Sequence, residues 1–257
     1  MNWLQKIHYI NNNKPDYIRN NPKIFIGFSD TTITHMMCLK AGISSFYGPS
    51  ILAGFAENVK MFEYTKHWTE KVLFNNDMIG NIESSSIWTS EYLPWEEKNK
   101  FIARNTQPNN GYELLQGKGV ARGNLIGGCM EVLEMIKGTE LWPCNDSWDN
   151  SIIFFETSED KPEPRYVEYW LRNYASQGIL QKANGIIFGK PYDNLYYEEY
   201  KKVILKVVRE ELKLVDLPIL YNMNFGHTEP IITIPYGAMA EIDCNKKTFC
   251  ILDTGVN

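Results

Sequence analysis

Long apolar runs are missing from this chain. No uninterrupted stretch approaches the ~20 residues that a membrane span requires, so no partner membrane is expected. Lys/Arg blocks are missing too. The net charge is -5, from 26 basic and 31 acidic residues, and the pI is about 5.5. That balance argues against a nucleic-acid partner, which calls for a basic face. There is no Cys-x-x-Cys pair. The five cysteines (Cys38, Cys129, Cys144, Cys244 and Cys250) are odd in number and scattered, a poor disulfide framework and a poor zinc site. They read as reduced thiols of a cytoplasmic protein, with no metal. The first residues, Met1 to His8, hold no apolar signal-peptide core. The most pointed absence is local: residues 1–28 contain no Ser, Thr or Cys at all.

What is present is a foldable chain. Hydrophobic residues make up 44% of 257, ample for a buried core. Residues 16–22 read as a short helix stopped before Pro22. Lys23-Ile24-Phe25-Ile26-Gly27 is a short apolar run suited to a buried parallel strand. A helix follows over 31–40, with Gly42 just past its end. A second helical pattern covers 55–74. Residues 75–117, with Ser84-Ser85-Ser86 and Asn109-Asn110-Gly111, read as a long connector with two short strands.

From Gly119 the pattern sharpens. Val120 to Ile126 reads as a strand, Gly127-Gly128 opens a helix over 130–137, and Ser151-Ile152-Ile153-Phe154-Phe155 is a buried strand. A helix over 165–176, a strand over 185–189, a helix over 198–212, a strand over 218–221 and a terminal hairpin around Asn245-Lys246 complete the chain. Alternating strands and helices give the α/β class. The divisions are an N-terminal lobe over 1–74, a connector over 75–117 and a C-terminal lobe over 118–257.

Open α/β sheets place their sites at strand ends. Glu156 directly follows the run Ile152 to Phe155, where a carboxylate can orient an imidazole or merely cap a loop. Of four histidines, His227 is the best placed for general-base work, in a loop bounded by Gly226 and Pro230 after a strand. His8, His35 and His67 sit less well. Gly127 and Gly128 let a ligand approach backbone N–H groups, or form a tight turn. Ser29, in Gly27-Phe28-Ser29-Asp30-Thr31, is half of a nucleophile elbow, with Thr31 where the last glycine belongs. An N-cap serine is the reading preferred there.

Together these pieces resemble one family. Asn21-Pro22-Lys23-Ile24-Phe25-Ile26-Gly27-Phe28-Ser29-Asp30, Gly48-Pro49, the block from Gly119 to Leu133, Phe154-Phe155-Glu156, Gly185 to Gly189 and Asn224-Phe225-Gly226-His227 are similar, in order, to blocks of the LD-carboxypeptidases, with the microcin C immunity peptidases as a branch. The resemblance implies a Ser-His-Glu triad with Glu156 and His227 as two members. It implies the remnant of a flavodoxin-like parallel-sheet lobe, a smaller mixed α/β C-terminal lobe, and a homodimer. Substrates would be murein LD-peptides or aminoacyl nucleotides, with no cofactor. Gly127, Gly128, Cys129 and Trp88 become substrate-binding candidates, Cys129 standing where many relatives have Asn.

The resemblance also places the nucleophile in a G-G-x-x-S-N elbow upstream of Asn21, where this chain has no Ser, Thr or Cys. The expectation is therefore an N-terminally shortened serine carboxypeptidase, inactive alone, since losing a triad serine costs roughly a millionfold in rate. Ser29 as a substitute nucleophile is the weaker reading. A non-catalytic carboxylate- or nucleotide-binding fragment, with Trp88 and Trp95 stacking on a base, is the alternative from another class. The strand around Ile24 should expose an unpaired edge.

Overall fold

The structure, a computed structural model, describes residues 15–256; His8 lies outside them. In chain order the elements are α1 (Pro15–Arg19), β1 (Ile26–Gly27), a single helical turn (Ser29–Thr31), α2 (Thr32–Ala41), β2 (Phe46–Tyr47), α3 (Glu63–Leu73), β3 (Gly80–Ile82), β4 (Ile87–Trp88), β5 (Gln107–Pro108), β6 (Glu113–Gln116) and β7 (Val120–Cys129). Then come α4 (Met130–Ile136), β8 (Ser151–Glu156), α5 (Pro164–Ser176), α6 (Ile179–Lys182), β9 (Gly185–Gly189), α7 (Tyr197–Leu205), running into a wider-wound segment (Lys206–Glu211), β10 (Ile219–Met223), β11 (Ile234–Pro235), β12 (Met239–Asp243) and β13 (Thr248–Ile251).

An eight-stranded sheet carries the molecule, in the order β3-β13-β12-β7-β8-β9-β10-β6. Its centre, β7 to β10, is parallel, and the flanking pairs are antiparallel. Every residue of β8 is buried, which is why the sequence there is an unbroken apolar run rather than an alternating one. α5 lays Val167, Leu171 and Tyr174 on the core; they recur at the three- and four-residue spacing that puts side chains on one helix face. The α/β class read from the sequence holds.

The segment read as a connector is not merely one. β3 and β6 form the two edges of the large sheet, and β4 pairs with β5 in a separate ribbon. These strands are two to four residues long, too short for a period-two pattern to show.

A second, three-stranded sheet has the order β1-β2-β11. β1 runs parallel to β2, and β11 pairs antiparallel with β2. The N-terminal segment is thus held by residues from near the far end of the chain. β1 is an edge strand among the described residues, with Ile24 exposed beside it. Among the described residues no helix is long and apolar enough to cross a membrane.

Candidate active site

The carboxyl ends of β7, β8, β9 and β10 lie along one rim, the edge at which α/β sheets present functional groups. β8 ends in Glu156, in register with Cys129 at the end of β7. The chain leaving β10 turns at Gly226 and presents His227. Gly226 has φ +101°, and a Cβ there would stand 2.6 Å from Glu156 Oε2. Only glycine supplies both that backbone and that space. The His227 loop is pinned on both sides: Ile232 N–H donates to Asn224 O at 2.8 Å, and Glu229 and Thr89 exchange backbone bonds at 2.7 and 2.9 Å.

Glu156 is 2% exposed. Its Oε2 lies 2.6 Å from His227 Nδ1, and its Oε1 accepts a 2.5 Å bond from the Tyr47 hydroxyl. Both carboxylate oxygens are therefore engaged by donors, as a buried carboxylate requires. The Tyr47 phenol is held well above its ordinary pKa, first by burial and then by the Glu156 charge, so it stays a donor.

On the other side of the imidazole, Ser29 Oγ stands 2.9 Å from His227 Nε2. Ser29 sits at φ +60°, in the left-handed region that costs a non-glycine residue roughly 1–2 kcal/mol. That conformation turns the side chain out of the helical turn and toward the histidine. It is propped from several directions. The Ser29 N–H donates to the Tyr47 hydroxyl at 3.1 Å. His35 Nε2 lies 3.0 Å from Gly27 O and His35 Nδ1 2.8 Å from Ser45 Oγ. The Phe28 ring meets His227 edge-on, centroids 5.0 Å apart.

This corrects two readings. A serine hydroxyl does face the histidine, although residues 1–28 hold none, because it belongs to the next residue. Nor is Ser29 an N-cap: its hydroxyl goes to His227, and neither the Ser29–Thr31 turn nor α2 has a side-chain cap.

A second carboxylate faces the same nitrogen. Glu159 Oε2 is 3.0 Å from His227 Nε2, and its side chain is 60% exposed where that of His227 is 6% exposed. Burial pulls the imidazole pKa down, but Glu156, by charge and hydrogen bond, and then Glu159 overcome it and lift it to about 10. The bond to His227 holds the Glu159 carboxyl at about 2. Behind the strand ends, Glu131 is raised, by burial first and by the Glu156 charge second. It accepts 2.8 Å bonds from both the N–H and the hydroxyl of Ser158.

The substrate-binding candidates fare differently. Gly127, Gly128 and Cys129 are buried. Gly127 O accepts from the Tyr236 hydroxyl at 2.7 Å, and Cys129 N–H donates to Thr32 Oγ1 at 3.2 Å. The helix they open, α4, spans 7 residues. They join α2 to the sheet and offer no open N–H face to a ligand. Trp88 is 9% exposed and lies under Lys190, whose Nζ is 4.6 Å from its ring centroid. It packs against the Lys190 side chain. Trp95 is exposed, at a cavity of about 320 Å³ shared with Glu57, Tyr92 and Arg104. Tyr47 and Glu159 were missed; Tyr47 stands beside the noted Gly48-Pro49, and Glu159 three residues past Glu156.

The chain is similar to known proteins of one family. The LD-carboxypeptidase N-terminal domain profile matches residues 4–48, and the LD-carboxypeptidase C-terminal domain profile matches residues 122–242. A putative carboxypeptidase of Vibrio cholerae is 30% identical over 242 residues, covering 93% of this chain and 69% of that protein. The microcin C7 self-immunity protein MccF of Escherichia coli is 28% identical over 240 residues, covering 93% and 68%. Among solved structures, an MccF-like protein from Streptococcus pneumoniae in complex with AMP superposes with a TM-score of 0.81 at 32% identity, over 89% of this chain and 69% of that one. MccF in complex with glutamyl sulfamoyl guanosine gives 0.78 at 26%, over 95% and 71%.

Proposed function

This chain belongs to the LD-carboxypeptidase family, and from that premise we propose that it is a serine-type carboxypeptidase or amidase in which Ser29, His227 and Glu156 act together. The observation that carries the reading is the unbroken line Ser29 Oγ to His227 Nε2 at 2.9 Å and His227 Nδ1 to Glu156 Oε2 at 2.6 Å. Nucleophile, base and orienting acid at hydrogen-bond spacing are the arrangement by which a neutral imidazole can activate a hydroxyl.

In this reading Ser29 Oγ attacks the carbonyl carbon of an amide. His227 Nε2 takes the hydroxyl proton and later returns it to the leaving amine. Glu156 accepts the Nδ1–H and stabilises the imidazolium that forms. Tyr47, donating to Glu156 and accepting from the Ser29 N–H, fixes the acid relative to the nucleophile. The developing oxyanion takes the Asp30 N–H, the backbone donor immediately after the nucleophile in a strand-to-helix elbow. The substrate class is an amide next to a free carboxylate or an aminoacyl nucleotide. AMP and glutamyl sulfamoyl guanosine bound to the related structures support the second. The 1–74 and 118–257 divisions then supply nucleophile and acid–base pair respectively, and exposed Ile51, Leu52, Trp95 and Phe101 suit a homodimer contact.

The test is hydrolysis of an LD-tetrapeptide ending in D-Ala and of an aminoacyl sulfamoyl nucleoside. Ser29→Ala should lower kcat by roughly a millionfold, and a fluorophosphonate should label Ser29 in the folded protein. Full turnover by Ser29→Ala would sink the assignment. Ligand binding without turnover in the unaltered chain would favour the non-catalytic binding reading instead.

A further inference from the structure

We propose that Glu159 is a substrate-sensing residue: in the free protein its carboxylate occupies Nε2 of His227, and it leaves that position for a cationic group of the substrate, the free ammonium of an aminoacyl amide. The proposal rests on the hydrolytic reading above and adds a specificity to it.

The argument is one of valence. His227 Nε2 faces Ser29 Oγ at 2.9 Å and Glu159 Oε2 at 3.0 Å. A single ring nitrogen donates or accepts, but not both. With Nδ1–H given to Glu156, the neutral ring presents a lone pair at Nε2. That lone pair suits the Ser29 hydroxyl and repels a carboxylate. The imidazolium presents an N–H instead, which suits Glu159 and cannot accept the Ser29 proton. Glu159 in its observed position therefore selects the charged ring and holds the nucleophile unactivated.

The groups facing this ring are few. Glu156 meets Nδ1, with Tyr47 behind it and Glu131 beyond. Ser29 and Glu159 meet Nε2, Phe28 packs edge-on, and Tyr192 lies within reach of the Glu159 charge. His227 is the only ionic partner of Glu159 among the described residues. Lys161, two residues further on and also near Tyr192, is paired with Asp193 at 2.9 Å.

The mount of Glu159 suits a movable contact. The residue before it is fixed by two bonds to Glu131 at 2.8 Å, while its own side chain is 60% exposed. The carboxylate can rotate outward without moving the backbone. When a substrate ammonium pairs with it, the imidazolium gives its Nε2 proton to water. The freed lone pair then accepts the Ser29 proton. A substrate whose amine is acylated leaves Glu159 on the histidine.

The test uses binding and titration, so it does not depend on turnover. In the Ser29→Ala protein, calorimetry with glutamyl sulfamoyl guanosine and its Nα-acetyl derivative should show the acetylated compound binding about tenfold more weakly, as expected for loss of one charge-assisted contact. In Ser29→Ala/Glu159→Gln that difference should vanish. NMR of the His227 ring in the same two proteins, without ligand, should show the deprotonation midpoint falling by at least about one pH unit on Glu159→Gln. Equal discrimination in both proteins, an unmoved midpoint, or no binding of either compound overturns the proposal. Failure of the hydrolytic reading looks different: the unaltered chain turns over neither substrate while the Glu159-dependent binding and titration persist.

Discussion

Two regions meet at His227 and are built on opposite plans. Glu156 and His227 hang from β8 and β10, central strands whose residues are all buried. Ser29 hangs from β1, two residues long and at the edge of a small sheet, in a left-handed conformation at φ +60°. The first region holds its groups by packing. The second holds its group by side-chain bonds from Tyr47 and His35 against a backbone that would relax elsewhere. The proposed acid–base pair thus rests on fully buried strands, and the proposed nucleophile on a two-residue strand and a left-handed turn.

The sharpest way to break this arrangement is from the sheet side. Glu156→Gln keeps the shape but presents the wrong partner to Nδ1. We expect roughly a 10⁴-fold fall in kcat, the scale seen for a triad acid made neutral, with little change in KM on the same two substrates. Next comes Gly226→Ala. A Cβ 2.6 Å from Glu156 Oε2 at φ +101° should destabilise the protein by roughly 1–3 kcal/mol and displace the histidine as well. Denaturant unfolding would register the first effect and kcat the second; a loss of activity at unchanged stability would contradict the packing account.

The elbow side should behave in the opposite sense. Ser29→Gly removes the proposed nucleophile and also the left-handed strain, so it should abolish turnover while leaving stability equal or raising it by roughly 1 kcal/mol. A lower melting temperature for Ser29→Gly would mean that the turn is not strained. The last test concerns pH. His227 is raised from 6.5 to about 10 in the fold, so its charged form stabilises the native state. That contribution is complete below pH 6.5 and is lost as pH rises through about 10. Melting temperature should fall across this window, and less so in Glu159→Gln.

The same division governs what the sequence made legible. β8, β9 and α5 were plain because burial on both faces, or on one helical face, writes itself as apolar runs and periodicity. Glu156 and His227 were legible as residues at the ends of such elements. Ser29 reads in the sequence as half an elbow, and as their partner only in the weaker, substitute-nucleophile reading. Its contact with His227 spans 198 residues, and no local pattern encodes a pairing at that distance. Its strain, which marks it, is a backbone property that serine in a Gly-Phe-Ser-Asp run does not announce. Of the four strands in 75–117 only two, without positions, are legible in the sequence, for a different reason: edge strands such as β3 and β6 carry polar residues, and Asn81 and Glu113 blur the alternation. Trp88 misled because a tryptophan near a cleft and one packed under a lysine look alike in sequence.

The pairing of β11 with β2 has a consequence for the order in which this protein becomes competent. A chain is made from its N-terminus, at roughly 5–20 residues per second. Ser29 and β2 are made well before Ile234–Pro235, which complete the three-stranded sheet among the described residues, and His227 comes only shortly before them. In the proposed reading the hydroxyl stays an ordinary serine until His227, 198 residues further on, has been made and seated. Labelling of Ser29 would then report that the His227 loop and β11 have docked on the segment that carries it.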